Sequence, residues 1–323
     1  MCTAVSYCAK HHYFGRNLDF EHSFRESVTV TPRNYPLHFR KKSVISSHYA
    51  MIGMAMVEDD YPLYFDATNE HGLSMAGLYF PGNAVYRKEI ENCDNITPYE
   101  LIPWILSQCT CTAQAEHLLK NINLIDLPFS DQLPLSPLHW MIADREKALT
   151  VEPTAEGIRV YENPVGVLTN NPPFDYHLQN LSNYMNLTRE EPENRFAPLY
   201  DIRPYSRGMG AIGLPGDLSS ASRFVRAAFT KLNSVSDLTD TSGIHQFFHI
   251  LGAVAQQRGC AKVGNDYEKT IYSNCCNTDT GVYYYTTYEN SQITGISMHH
   301  TDLNASTLSS YSLRTDGQIQ MEN

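Results

Sequence analysis

The sequence predicts an α+β protein built as a four-layer αββα sandwich: two antiparallel sheets stacked face to face, with a pair of helices on each outer side. Three observations carry this. The chain runs in the order strands, helices, strands, helices, strands. Its strand-like runs are short and joined by tight turns, the pattern of antiparallel pairing. Its helix-like segments fall into two amphipathic pairs, and an apolar helical stripe needs a sheet to cover it.

Residues 2–8 and 13–19 read as two strands joined through Lys10-His11-His12. A hairpin centred near residue 10 or 11 sets Cys2 opposite Leu18 or Asp19. Strand runs at 28–31, 50–57, 61–67 and 73–78 make the opening third β-rich. At Thr97-Pro98-Tyr99-Glu100 the period changes, with threonine at an N-cap, proline at the first helical position and glutamate at the third. Leu101, Ile102, Trp104, Ile105 and Leu106 follow, and Pro103 is expected to kink or shorten that helix. A second helix runs from Thr112 through Ala115, Leu118 and Leu119.

The loop at 126–137 holds Leu127, Phe129, Leu133 and Leu135 among its prolines. Connections are normally more polar, so either it packs down on the core or it lines an apolar pocket. Strand signals at 138–144, 148–152, 158–162 and 166–170, joined by short turns, predict a meander of four strands. Residues 219–232 read as a helix with Phe224, Val225, Ala228, Phe229 and Leu232 on one stripe and Arg223 near its start. A helix over 244–255 and strands near 270–273, 282–288 and 292–298 close the chain. With no linker, repeat or low-complexity tract, residues 1–323 are expected to form one domain.

The chain has 323 residues, 42% of them hydrophobic and 11% aromatic, enough for a substantial core. A net charge of −11 with no arginine–lysine cluster argues against nucleic acid and anionic membranes as partners. No signal peptide precedes Cys2, and the longest apolar run, 49–57, is too short to span a bilayer, so a cytoplasmic location is expected. Eight cysteines are then expected as free thiols rather than four disulfides.

Cys2 carries the chemistry. If Met1 is removed, one residue holds both a thiol and a free α-amino group, a nucleophile with its own base. An ordinary α-amine ionises at roughly 7.7–8.0, leaving about a tenth neutral at pH 7, enough to accept the thiol proton. The hairpin brings the carboxylate of Asp19 to this terminus. A guanidinium at Arg16 would stabilise negative charge on sulfur, but Arg16 and Asp19 differ by an odd number, so both reach Cys2 only if the strand bends near Asn17. Spacing alone leaves open an ordinary terminal cysteine with a surface Arg16/Asp19 pair.

The opening Met-Cys-Thr-Ala with Phe14-Gly15-Arg16-Asn17-Leu18-Asp19 resembles the choloylglycine hydrolases, the bile salt hydrolases and penicillin V acylases of the N-terminal nucleophile (Ntn) superfamily. Further resemblance lies in Asn69-Glu70-His71-Gly72-Leu73, Ser136-Pro137-Leu138-His139-Trp140, Gly166-Val167-Leu168-Thr169-Asn170-Asn171-Pro172 and Gly213-Leu214-Pro215-Gly216-Asp217-Leu218-Ser219-Ser220-Ala221-Ser222-Arg223-Phe224. It covers nearly the whole chain and looks most like the enzymes of intestinal lactic acid bacteria. The resemblance implies the same αββα sandwich, cleavage of glycine- or taurine-conjugated bile salts without a cofactor, and a homotetramer.

It also implies roles for two residues that composition leaves open. Asn170 is by itself either a turn residue or an amide donor for an oxyanion; the resemblance implies the donor. Arg223 is implied as the active-site arginine. One position departs from the pattern, because Tyr79 stands where bile salt hydrolases usually carry asparagine and penicillin V acylases tyrosine. If its backbone N–H serves the oxyanion, the reaction survives and substrate choice is what changes. Leu18, Phe20 and Phe24, with Leu127, Phe129 and Leu135, are expected to accommodate the steroid body.

Competing chemistries find little support. Cys109-Thr110-Cys111, Cys275-Cys276, His11-His12 and His299-His300 lack metal-ligand spacing, so no metal is expected. Gly72 to Gly77 is one residue too long for a nucleophile elbow. His139 reads as a packed strand residue rather than a general base, which leaves a Cys–His protease without local support. Penicillin V acylase, or a related N-acyl amidase, is the alternative enzyme, and an inactive steroid-binding protein on the same fold the alternative class.

Overall fold

The computed structural model describes residues 1–323. Its strands in chain order are β1 (Cys2–Cys8), β2 (His12–Phe20), β3 (Ser27–Thr31), β4 (Met51–Glu58), β5 (Tyr61–Asn69), β6 (Ser74–Tyr79), β7 (Asp94–Ile96), β8 (Ile122–Leu124), β9 (Leu138–Ala143), β10 (Ala148–Thr154), β11 (Gly157–Glu162), β12 (Val167–Leu168), β13 (Ala261–Val263), β14 (Asp266–Asn277), β15 (Val282–Thr287), β16 (Thr294–Ser297) and β17 (Ser309–Ser312). Its helices are α1 (Leu101–Leu106), α2 (Thr112–Leu119), α3 (Phe174–Asn180), α4 (Ser220–Asn233) and α5 (Asp240–Gly252).

Two sheets form. The first runs β12-β1-β2-β14-β15-β16 with β13 paired to β14, and the second runs β11-β10-β9-β6-β5-β4-β3-β17. Pairing within both is antiparallel, while β7 and β8 make a separate parallel pair. Helices α4 and α5 pack on the first sheet and α1 on the second, giving the expected layers. Side-chain alternation then sorts residues by layer. Along β9, Met141 and Ala143 join Ala4 and Phe14 in the core of the first sheet, whereas Trp140 and Ile142 join Leu101, Ile105 and Ala115 under the helices of the second.

Local signals explain where helices start. The Glu100 carboxylate accepts the Thr97 N–H at 3.0 Å, and α1, which contains Pro103, ends after six residues. Ser219 caps α4 by accepting from Ser222 N–H, and Thr239 caps α5 in the same way from Ser242. That cap starts α5 at Asp240, ahead of the expected 244. No helix is long and apolar enough to cross a membrane.

The tertiary structure departs from the sequence reading in several places. The expected four-strand meander stops at three: β9, β10 and β11 are neighbours, but β12 crosses to the other sheet and pairs with β1, Ala4 opposite Leu168. The turn at Asn163 makes this possible, its side chain bonding Val167 O and Gly166 N–H. The strand expected at 270–273 is the twelve-residue β14, central because it bridges β2 and β15. Both α3 and the edge strand β17 lie outside the expected elements. Finally, β2 runs unbroken through Asn17; the irregularity sits in its partner, between Thr270 and Tyr272.

Candidate active site

The site begins where two strands part. β5 and β6 pair from Thr68↔Ser74 to Asp66↔Ala76 and no further, leaving carbonyls beyond that point without ladder partners. Arg16, reaching across from β2, supplies the missing donors: its Nη1 bonds Phe65 O at 3.2 Å and Gly77 O at 2.5 Å. Its own N–H is held at 2.9 Å by Asn274 Oδ1, which approaches this closely because Gly15 has no Cβ; one built there would lie 2.0 Å from the Asn274 carbonyl oxygen.

A fully buried guanidinium needs compensation. Burial pushes the Arg16 pKa down, but negative charge at Cys2, Tyr272, Asp66 and Asp19 outweighs it, and the net shift is upward. Asp66 is itself buried, accepting from Tyr283 at 2.7 Å, Tyr272 at 2.9 Å and Asn274 at 3.2 Å. Burial raises its pKa against the pull of Arg16 and the two tyrosines.

Cys2 lies in register with Leu18 on one side. Continuing the β1–β12 register from Ala4↔Leu168 by two residues places Asn170 on the other. Cys2 is 4% exposed and lines the same cleft as Arg16, Leu18 and Tyr79. Met1 is present in this chain, so the Cys2 nitrogen is an amide, and it donates to Asn170 Oδ1 at 2.8 Å. Arg16 and Asp19 alternate along β2 without a bend, and both line the cleft with Cys2; the Asp19 N–H is bonded to Met1 O at 2.9 Å, beside the chain terminus.

Asp19 is fully buried, with Oδ1 accepting from Thr270 at 2.6 Å and Oδ2 3.9 Å from Arg223 Nη1. Burial raises its carboxyl pKa, opposed first by Arg223. Arg223, buried near the start of α4, donates to Cys2 O at 2.6 Å, Thr3 Oγ1 at 2.7 Å and Asn170 Oδ1 at 2.8 Å. Its pKa is lowered, burial outweighing the attraction of Asp19 and Cys2. It therefore ties the first turn of α4 to β1.

The Asn170 amide is oriented by its neighbours. Oδ1 faces only donors, Cys2 N–H and Arg223, so Nδ2 must be the atom that bonds Tyr79 O at 2.7 Å. One Nδ2–H remains for a ligand. Phe80 N–H bonds Pro137 O, so in the alternating ladder Tyr79 turns its N–H and C=O away from β9, toward Asn170. Two donors, one from each sheet, thus converge beside Cys2.

The cleft has a cavity volume of about 210 Å³ and opens to solvent, and sixteen of its twenty-two lining residues are hydrophobic. Leu18, Phe20, Phe24, Phe129 and Leu135 are among them, as expected; Leu127 is not, because it sits half-buried outside the cleft while the loop's apolar edge is Phe129, Leu133, Pro134 and Leu135. Met56, Leu63, Phe65 and Tyr99 complete the wall and were not expected. Two other clefts, one near Glu21, Arg25 and Lys269 and one near Arg33 and Glu70, are lined by charged groups and lie away from Cys2.

The residues missed by sequence reasoning are those that hold the machinery. Ser220 Oγ accepts Asn170 N–H at 2.8 Å, and His177 Nε2 bonds Asn170 O at 2.9 Å. Thr270, Asp66, Tyr272 and Tyr283 do the same for Asp19 and Arg16. None has a local signature, because each acts across a contact between distant parts of the chain. His139 is a buried strand residue, as expected, bonded to Glu152 and Thr169 O.

Comparison with known proteins accords with this geometry. Residues 2–311 match the family model of linear amide C–N hydrolases, choloylglycine hydrolase family. The chain is 53% identical over 324 residues to a bile salt hydrolase/transferase of Lactiplantibacillus plantarum, covering all of both chains. It superposes on the crystal structure of a mutant conjugated bile acid hydrolase from Clostridium perfringens with a TM-score of 0.92 at 36% identity, again over both full chains. A penicillin V acylase from Agrobacterium tumefaciens, 16% identical over 99% of this chain and all of its own, shares the fold with a TM-score of 0.76. A cysteine at the chain start, in a two-sheet sandwich matched from end to end, makes this chain a member of the choloylglycine hydrolase family of linear amide C–N hydrolases.

Proposed function

We propose that the protein hydrolyses glycine- or taurine-conjugated bile salts through Cys2, as an N-terminal nucleophile exposed by removal of Met1. One observation carries this reading: buried Cys2 lines an apolar cleft together with Arg16 and Asp19, its nitrogen held by Asn170 Oδ1. A freed amine would take up the Cys2 thiol proton. Sulfur then adds to the amide carbonyl carbon, the carbonyl electron pair moves to oxygen, and Tyr79 N–H with Asn170 Nδ2 receives that oxyanion. The ammonium returns the proton to the departing nitrogen, releasing glycine or taurine, and water activated by the same amine cleaves the thioester.

The local field favours such a base. Burial lowers the amine at the present terminus below its ordinary 8.0, while Cys2 and Asp19 pull the other way. An apolar wall of Phe20, Phe24, Phe129 and Leu135 suits a steroid body. The relatives' names, bile salt hydrolase/transferase and conjugated bile acid hydrolase, support the substrate class. Self-association into a tetramer is part of the proposal, supported by Phe196, Leu199 and Tyr205, which are exposed on one polar stretch of chain. So is a reducing, cytoplasmic setting in which the Cys2 thiol survives.

Tyr79 favours a second reading, penicillin V acylase; its ring is 42% exposed and lines the cleft. Initial rates on glycocholate, taurocholate and penicillin V, with intact mass measured on the same sample, separate the readings. The expected result is bile salt turnover by protein lacking Met1, abolished in Cys2→Ala. A higher kcat/KM for penicillin V overturns the substrate; full activity with Met1 retained overturns the mechanism; steroid binding without turnover leaves a binding protein.

A further inference from the structure

The two oxyanion donors stand on different sheets, Tyr79 at the end of β6 and Asn170 just after β12, so their separation depends on what ties the sheets together at this point. Bonds beside the donors do so: Arg16 Nη1 to Gly77 O, Asn170 Nδ2 to Tyr79 O, Asn171 Nδ2 to Pro81 O at 2.7 Å, and His139 Nε2 to Thr169 O at 2.8 Å. Of these, the last involves a residue that neither lines the cleft nor adjoins a donor in the chain.

His139 is fully buried and held on every side. Its Nδ1 meets Glu152 Oε1 at 3.2 Å, and that oxygen also accepts Phe174 N–H at 3.0 Å, at the start of α3. The Phe80 ring stacks on the imidazole with centroids 4.2 Å apart and planes 5° from parallel, and Phe80 follows Tyr79 directly. Because the Thr169 carbonyl only accepts, Nε2 must carry a hydrogen, so a further proton is shared between Nδ1 and Glu152. A buried polar pair in a strand core costs stability that an apolar pair of similar volume would not. Here it touches the neighbours of both donors at once, Thr169 before Asn170 and Phe80 after Tyr79.

We propose that His139 and Glu152 are positioning residues for the oxyanion hole: the imidazole fixes the gap between the Tyr79 N–H and the Asn170 amide by clamping Thr169 through Nε2 and Phe80 through its face. This rests on hydrolysis by Cys2. Neither residue touches the substrate, and the pair acts only on where the donors lie when charge develops on oxygen.

The test uses a reaction of Cys2 that needs no oxyanion hole. Alkylation by iodoacetamide is a displacement at carbon, in which iodide leaves and no negative oxygen forms, whereas amide cleavage passes through one. Glycocholate kcat and KM and the iodoacetamide rate are measured for His139→Gln, His139→Leu and Glu152→Gln. His139→Gln keeps an N–H for Thr169 O but loses the ring face on Phe80 and the Glu152 contact, so its kcat is expected between that of wild type and that of His139→Leu. His139→Leu is expected to lower kcat roughly 10- to 100-fold, the scale of a small misplacement at a reacting centre, with KM and alkylation within about twofold. Glu152→Gln keeps volume and the acceptor for Phe174 N–H but can no longer supply the shared proton, and about a tenfold fall confined to kcat is expected; it carries the test if the Leu variant fails to fold. Wild-type kcat in Glu152→Gln, or parallel losses of kcat and alkylation in the folded variants, overturns the proposal. Absence of glycocholate turnover in the wild type overturns the proposed function instead.

Discussion

Replacing Asn170 by aspartate changes one group and keeps its shape. The side-chain oxygen that accepts from Cys2 N–H and from Arg223 Nη2, both at 2.8 Å, survives, and the Arg223 bond becomes charge-assisted. The Nδ2 that bonds Tyr79 O at 2.7 Å becomes a second oxygen facing a carbonyl, and the hydrogen available to the substrate disappears. Loss of one preorganised oxyanion donor costs about 2.7–4 kcal/mol in the transition state, or roughly 10²–10³ in kcat. A carboxylate beside a developing negative charge pushes toward the upper end. Stability should change little, since a gained ion pair offsets a lost amide bond. Amine release from glycocholate gives kcat and KM, and thermal unfolding checks the fold. Asn170→Ala serves as a contrast: it loses the same donor and also frees Cys2 N–H and Arg223, so it should add a fall in melting temperature. A kcat for Asn170→Asp within tenfold of wild type would refute the donor role.

His12 and His177 are pushed down to about 4 by burial, from an ordinary value near 6.5. The unfolded chain then binds protons between about pH 6.5 and 4 that the native one does not, so stability present above 6.5 is lost as pH falls, on the order of 3 kcal/mol for each histidine. Urea midpoints at pH 7.5, 6 and 5 should fall in that order, with a shallower fall in His177→Gln; equal slopes in the two proteins would count against it. Phe129→Ala and Leu135→Ala should each raise KM for a cholate conjugate about tenfold, the low end of aromatic or leucine burial, while Leu127→Ala leaves KM unchanged; a KM effect at Leu127 would move the cleft. Asp66→Asn places an amide against three donors and removes charge facing buried Arg16. Breaking such a pair costs about 3–5 kcal/mol, which should lower the melting temperature by roughly 5–10 °C, and calorimetry showing less than a 2 °C change, about the smallest such shift expected per kcal/mol, would contradict the assignment.

Much of the site was legible because it is local. The hairpin from Cys2 to Asp19 has a short turn, so counting residues fixed Cys2 opposite Leu18 to within one position. Caps at Thr97 and proline at 98 gave the first helix its start, and the apolar loop near 129–135 gave one wall of the cleft. What counting residues missed is non-local. Alternation says that Arg16 and Asp19 face opposite ways, but not that Arg16 turns to the carbonyls of Phe65 and Gly77 while Asp19 stays beside the terminus, so that both line the cleft without a bend. A strand signal at 166–170 carries no mark of which sheet it will join, and Val167–Leu168 joined the one containing β1.

The sequence by itself determined the hairpin that sets Cys2 beside Leu18, the start of the helical turn after Thr97, and the alternation that divides each strand between two layers, because these depend on residues close together along the chain. Only the tertiary structure decided that Asn170 lies beside Cys2, that Arg223 bonds both, and that β5 and β6 separate around Arg16 to open the cleft. Those contacts join residues up to 221 positions apart, and they form because two sheets must close over one core, a condition that no local run of residues encodes.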